Sequence, residues 1–133
     1  MKPTPTAIGL VLCEQVIVDH RSKCPSPINI FTGFSVESFP SEPRPFSVFS
    51  SLTDGLGAGT LELIVVRMDT NERTFAQRYP IQFPDRRVVV NTHIRLRHIR
   101  FPVDGYYDFQ LLIDGELVAQ RMLRVYLERG ANP

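Results

Sequence analysis

Three basic side chains alternate along one short stretch, His93, Arg95 and Arg97, with Arg100 close behind and Arg86, Arg87 and His98 at its margins. In an extended chain alternate residues share a face, so these side chains present a row of donors. Thirteen of the 15 basic residues are Arg, and the planar guanidinium binds carboxylate or phosphate through paired donors. The chemistry this permits is recognition of an acidic protein partner, an anionic ligand or a phosphate backbone. The plainer reading is a solvated strand face balanced by Asp and Glu on neighbouring strands, a common arrangement for like charges at this spacing.

Other polar groups carry less. Asp19, His20 and Cys24 could be drawn as metal ligands, but zinc sites show paired Cys or His at recognisable spacings, and this segment reads as a solvated turn. The run Gly55-Leu56-Gly57-Ala58-Gly59 lacks the Lys-Ser/Thr ending and following helix of a phosphate loop and reads as a turn between strands. No nucleophile motif accompanies the Ser, Cys and His residues. Asp69 with Glu72, and Asp114 with Glu116, fall in turns that want such residues for backbone reasons. No catalytic residue, metal or cofactor is therefore expected.

The elements that must position the Arg row are strands. Apolar residues recur with period two at short intervals, Pro and Gly are spread from end to end, and helical periodicity has little support. About eight strands are expected: Ile8 to Asp19, Pro27 to Ser38, Phe46 to Leu52, Thr60 to Met68, Phe75 to Phe83, Arg87 to Arg97, Gly105 to Ile113 and Glu116 to Leu127. The fourth is apolar on both faces and suits a sheet interior. Pro80 pushes the fifth to an edge. In the sixth, Val88, Val90, Thr92, Ile94 and Leu96 point inward, opposite the Arg row. Asp114-Gly115 closes the last pair as a two-residue hairpin turn. There Leu117, Ala119, Leu123 and Val125 are assigned inward, with Arg121 at a rim. Phe49 opposes Phe46 and Val48 in parity, which marks either an interface or a second buried face. The fold class is all-β, an antiparallel β-sandwich of immunoglobulin-like type, built as one domain over 1–133 with a core near 8–127 and loose ends at 1–6 and 129–133.

With 133 residues and a net charge of +1, one core can stabilise the chain without metal or disulfides. Near-neutrality argues against a protein that coats nucleic acid or an anionic membrane. The segment Ala7 to Cys13 resembles a short export signal, but Pro3, Pro5, Leu12 and the apolar residues beyond Glu14-Gln15 fit a first strand better. Cys13 and Cys24 lack redox-motif spacing, and a bridge between them needs a sharp fold-back. Two thiols in a chain with an adequate core favour the cytoplasm.

The residues Phe39-Pro40, Leu52-Thr53-Asp54-Gly55, Phe83-Pro84, Phe101-Pro102, Gly105-Tyr106, Phe109, Leu112-Ile113-Asp114-Gly115-Glu116, Val118-Ala119 and Leu123 resemble a family of small bacterial β-sandwich proteins, a domain of unknown function. The similarity runs from Leu12-Cys13-Glu14 to Val125. It implies the fold and transfers no activity or catalytic residue. The functional expectation is a non-catalytic protein-interaction or assembly module with an unidentified protein partner, and homo-oligomerisation through a sheet face or edge is a further expectation. The alternative is a binding protein for an anionic ligand or nucleic acid through His93, Arg95, Arg97 and Arg100.

Overall fold

A computed structural model describes residues 3–128. Its strands are β1 (Thr6–Val18), β2 (Pro25–Phe31), β3 (Gly33–Val36), β4 (Phe46–Thr53), β5 (Gly57–Arg67), β6 (Glu72–Phe83), β7 (Val90–Leu96), β8 (Gly105–Ile113) and β9 (Glu116–Leu127). They form two sheets, of order β2-β1-β4-β7 and β3-β9-β8-β5-β6. With β1, β4 and β7 adjacent in one sheet and β5, β8 and β9 in the other, the connections interleave as in immunoglobulin-like Greek-key sandwiches.

The expected second strand is two strands. Phe31 still pairs with Leu12 of β1, whereas Gly33 pairs with Arg124 of β9, so the chain changes sheets at Thr32. A Cβ at Gly33 would lie 3.3 Å from the Tyr126 ring, so glycine lets the crossing hug β9. The β3–β9 ladder is parallel, the exception in a set of otherwise antiparallel pairings. The expected sixth strand begins three residues late. The Asp85 carboxylate accepts from the Arg87 amide at 2.8 Å and its carbonyl accepts from Val88 at 3.1 Å, which holds the chain in a turn and leaves Val88 exposed rather than inward. Of the expected loose ends, residues 1–2 and 129–133 lie outside the described residues, while Pro5 is buried and Thr6 already pairs with Thr53.

The hairpin turn is as read. Asp114 and Gly115 have φ of 50° and 84°, the pair of left-handed residues that a type I′ turn requires. The parity of Leu117 is not, because the register shifts between Leu111 and Leu112 and makes Val118 the extra residue. Val118 and Ala119 pack on the core and Leu117 faces solvent. The bulge inverts the alternation locally.

Leu12, Val48, Leu52, Leu63, Val65, Leu111, Leu123 and Val125 fill the space between the sheets. On one flank an aromatic cluster closes the sandwich, with Phe31, Phe34 and Phe46 rings 5.4–5.7 Å apart, Phe34 5.4 Å from Phe101, and Phe101 4.9 Å from Tyr107. Tyr107 donates its hydroxyl to the Val103 carbonyl at 2.7 Å and accepts from the Val103 amide at 3.3 Å. A Tyr near the start of β8 bonded back to the preceding loop is the tyrosine corner of immunoglobulin-like domains. Its signal, Asp104-Gly105-Tyr106-Tyr107 entering a strand, stands in the sequence. At Gly55 an added Cβ would meet the Phe83 ring at 2.6 Å, so this glycine is a packing necessity and not a phosphate cradle.

Candidate interaction surface

The alternating basic side chains occupy different environments. His93 and Arg95 lie on the outer face of the sheet, opposite Phe49 and Ser47 of β4, while Arg97 follows the strand and is exposed. Ser47 has no exposed surface. Its Oγ lies 2.8 Å from His93 Nε2 and accepts from Arg95 Nη1 at 3.0 Å. Arg95 also donates to the Glu14 carbonyl on β1. Its guanidinium thus spans the outer face across Ser47 and beside Cys13, which pairs with Ser47 in register. Burial, followed by the Arg95 charge, holds His93 below the usual imidazole range. A neutral ring leaves Nε2 able to accept the Ser47 proton.

A serine within reach of a neutral histidine has the composition of a nucleophile and base. With Ser47 wholly covered, no substrate atom can approach its Oγ. Burial pushes the Cys13 thiol up, toward an unreactive state. The cluster is a polar clasp tying β1, β4 and β7. Arg100 is used elsewhere: its Nη1 donates to the Ser41 carbonyl at 3.4 Å and lies 3.8 Å from Glu42. Arg86 pairs with Asp54 at 2.9 Å and Arg87 with Asp85 at 3.4 Å. The structure therefore joins His93 and Arg95, and separates them from Arg97 and Arg100. Arg97 and His98 carry no hydrogen bond or ion pair among the described residues. Asp19 accepts from the Arg21 and Ser22 amides at 3.0 and 2.7 Å, so its carboxylate builds the turn. No group of three metal-binding side chains occurs among the described residues.

The feature that residue types do not signal is a property of backbone. Four strands end the sheets: β2 and β7 in one, β3 and β6 in the other. Three are blunted. β2 begins with Pro25 and Pro27 and kinks at Asn29, whose φ is 56°. β3 has only four residues, and Arg44 donates to its Ser35 carbonyl at 3.2 Å. β6 carries Pro80, a register shift opposite Val65 and Val66, and the exposed cations Arg73 and Arg78. These are the usual guards against strand addition. β7 has none of them. Its seven residues contain no Pro, Gly or left-handed residue, and its register with β4 runs unbroken from Val90 to Leu96. Its one full charge, Arg95, is turned onto the sheet face. In such a ladder alternate residues direct their N–H and C=O away from the neighbour, so β7 presents a row of unpaired backbone groups.

Beside this edge the two sheets part. Adjoining hollows of about 310 and 250 Å³ run between β6 and β7 and meet at Tyr79. Leu61, Ile81 and Ile94 form the floor of one, Phe75 and Leu96 that of the other, with Arg97 and His98 at its mouth. Tyr79 is half-buried, and desolvation raises its phenol above the ordinary value. The hollow on the opposite flank, about 430 Å³ around Glu37, Glu42 and Glu128, is roofed differently: Arg44 lies 4.0 Å over the Phe34 ring.

A family model described as a family of unknown function (DUF6941) matches residues 9–126. No curated protein matches the chain. Solved structures similar to it include an immunoglobulin-like protein from Pseudomonas aeruginosa, at 13% identity and a TM-score of 0.44 over 92% of this chain and 97% of that one. Another is a lipoprotein, so described provisionally, from Bacillus anthracis, at 11% identity and a TM-score of 0.40 over 85% of this chain and 84% of that one. No helix among the described residues is long and apolar enough to cross a membrane.

Proposed function

For a chain that belongs to the DUF6941 family of unknown function, we propose a non-catalytic protein-interaction module that accepts an extended segment of a partner at the β7 edge. The observation that carries this reading is the unguarded edge: the other three sheet edges are blunted by Pro, by a kink or bulge, or by a capping guanidinium, and β7 is not. Strand addition supplies main-chain hydrogen bonds for affinity, and the hollows beside Tyr79 supply pockets for every second side chain. Between the sheets, the partly exposed Phe75, Tyr79 and Val90 offer apolar surface worth about 25 cal/mol for each Å² a partner covers.

The anionic-ligand alternative has less support. Arg95 and His93 are held by Ser47 and Glu14, and Arg100 by Ser41 and Glu42, which leaves Arg97 alone of the four candidates without a partner among the described residues. The cytoplasm fits two free thiols, Cys13 and Cys24.

The test is selection of a random peptide library on the full chain, with binders mapped by backbone chemical shifts. Binders are expected to perturb 90–96 and Tyr79. They should lose affinity when their alternate amides are N-methylated, or when Thr92→Lys sets an inward charge on the edge. Binders that map to another surface, or that tolerate N-methylation, contradict the reading.

A further inference from the structure

We infer that the segment accepted at β7 runs antiparallel to it and carries acidic residues at its N-terminal end, with apolar residues at alternate positions behind them. This rests on the strand-addition reading and adds direction and chemistry to it. Every other ladder in the β2-β1-β4-β7 sheet is antiparallel, and that pairing is slightly more stable per residue than the parallel one. β7 runs from Val90 toward Leu96, so an antiparallel strand begins where β7 ends. At that end stand Arg97 and His98, both exposed and without partners among the described residues, beside the exposed Gln77 and the apolar Phe75. At the other end of β7 the cations Arg86 and Arg87 are already matched to Asp54 and Asp85. The uncompensated positive charge therefore lies where the incoming segment starts.

The side-chain alternation follows from the same geometry. Residues of an added strand turn alternately toward the space between the sheets and toward the outer face. Inward ones meet the half-buried rings of Tyr79 and Phe75, which suit aliphatic or aromatic side chains. Outward ones lie beside His93 and Arg95, where a carboxylate is favoured over a cation.

A second copy of this chain fits the edge poorly. Antiparallel β7 strands centred on His93 would set Arg97 opposite Val89, beside Arg87 and Asp85, which are already paired with each other, and so bring it no free carboxylate. The charge pattern selects a different, acidic protein segment.

The probes are two synthetic peptides with Val at alternate positions, one with Glu at the intervening N-terminal positions and its twin with Lys there. Affinity for the full chain is read by fluorescence anisotropy at two salt concentrations. The Glu peptide is expected to bind roughly tenfold more tightly than the Lys peptide at low salt, with the gap narrowing at high salt. In the Arg97→Glu/His98→Glu variant the order should invert, and in Thr92→Lys both peptides should lose binding. Circular dichroism of each variant distinguishes lost binding from lost folding, and for an unfolded variant the N-methylated Glu peptide on wild-type chain replaces it. Equal affinities of the two peptides, with both still lost in Thr92→Lys, would overturn the acidic preference and leave strand addition standing. Failure of both peptides on wild-type chain, or binding indifferent to N-methylation, overturns the two together.

Discussion

The two flanks of this sandwich are built in opposite ways. On the β2/β3 flank the chain itself crosses between the sheets, and the Phe31, Phe34 and Phe46 rings fill the gap beneath the Arg44 guanidinium. On the β6/β7 flank the chain also changes sheets, in the 84–89 turn, but the gap beside the two strands is lined by half-buried Phe75 and Tyr79, and the edge strand lacks the guards its counterpart β2 carries. Both flanks are rich in aromatic residues, so composition does not separate them. What separates them is whether the rings meet one another or meet open space. A sandwich of this size can afford one soft flank because the other, with the tyrosine corner beside it, holds the sheets together.

That contrast is most easily broken by core truncation. Phe46→Ala, on the closed flank, is expected to cost about 3–5 kcal/mol, a large part of the roughly 5–15 kcal/mol that a domain has. Tyr79→Ala, on the open flank, should cost less than about 1.5 kcal/mol, since its ring is only half-buried. Urea denaturation of both variants measures the difference, and equal losses would erase the distinction between the flanks. A smaller effect is expected from Tyr107→Phe, which removes a hydroxyl bonded at both ends to Val103 and should destabilise by about 1 kcal/mol. Smaller again is Arg44→Ala, which uncovers Phe34 and should cost about 0.5–1 kcal/mol, less at high salt.

The clasp on β7 gives a pH signature. His93 is held below its ordinary pKa in the fold, by burial first and by Arg95 second, so the unfolded chain binds the proton more readily. Stability should therefore be fully present above about pH 6.5 and decline as pH falls from there through the folded-state pKa. His93→Gln, which cannot titrate, should flatten that part of a stability-against-pH curve measured by thermal melts. An unchanged curve would show that the imidazole does not contribute.

Much of the architecture is legible in the residues, for identifiable reasons. Asp114-Gly115 specifies its turn through φ alone, and the two-faced apolar run Leu61 to Val66 requires neighbours on both sides. The Thr32 crossing is not legible, since both sides of it are extended and period two is blind to a change of pairing partner. Val118 is hidden for a related reason: a bulge inverts parity without altering composition. The destination of Arg95 depends on β1 and β4 lying beside β7, which brings Glu14 within reach from 81 positions away in sequence. Parity alone therefore reads it as a free cation. The unguarded edge was half visible: the absence of Pro and Gly from 90–96 is plain, but that this strand ends a sheet emerges only from the pairing.

Amide hydrogen exchange, resolved residue by residue, tests whether β7 is an edge held open for an added strand. In the free chain every second amide of 90–96 is expected to exchange rapidly, with its neighbours protected by β4, and the fast set is expected to become protected when the Glu peptide is added. Uniform slow exchange across β7 in the free chain, or fast amides that the bound peptide leaves unchanged, would contradict it.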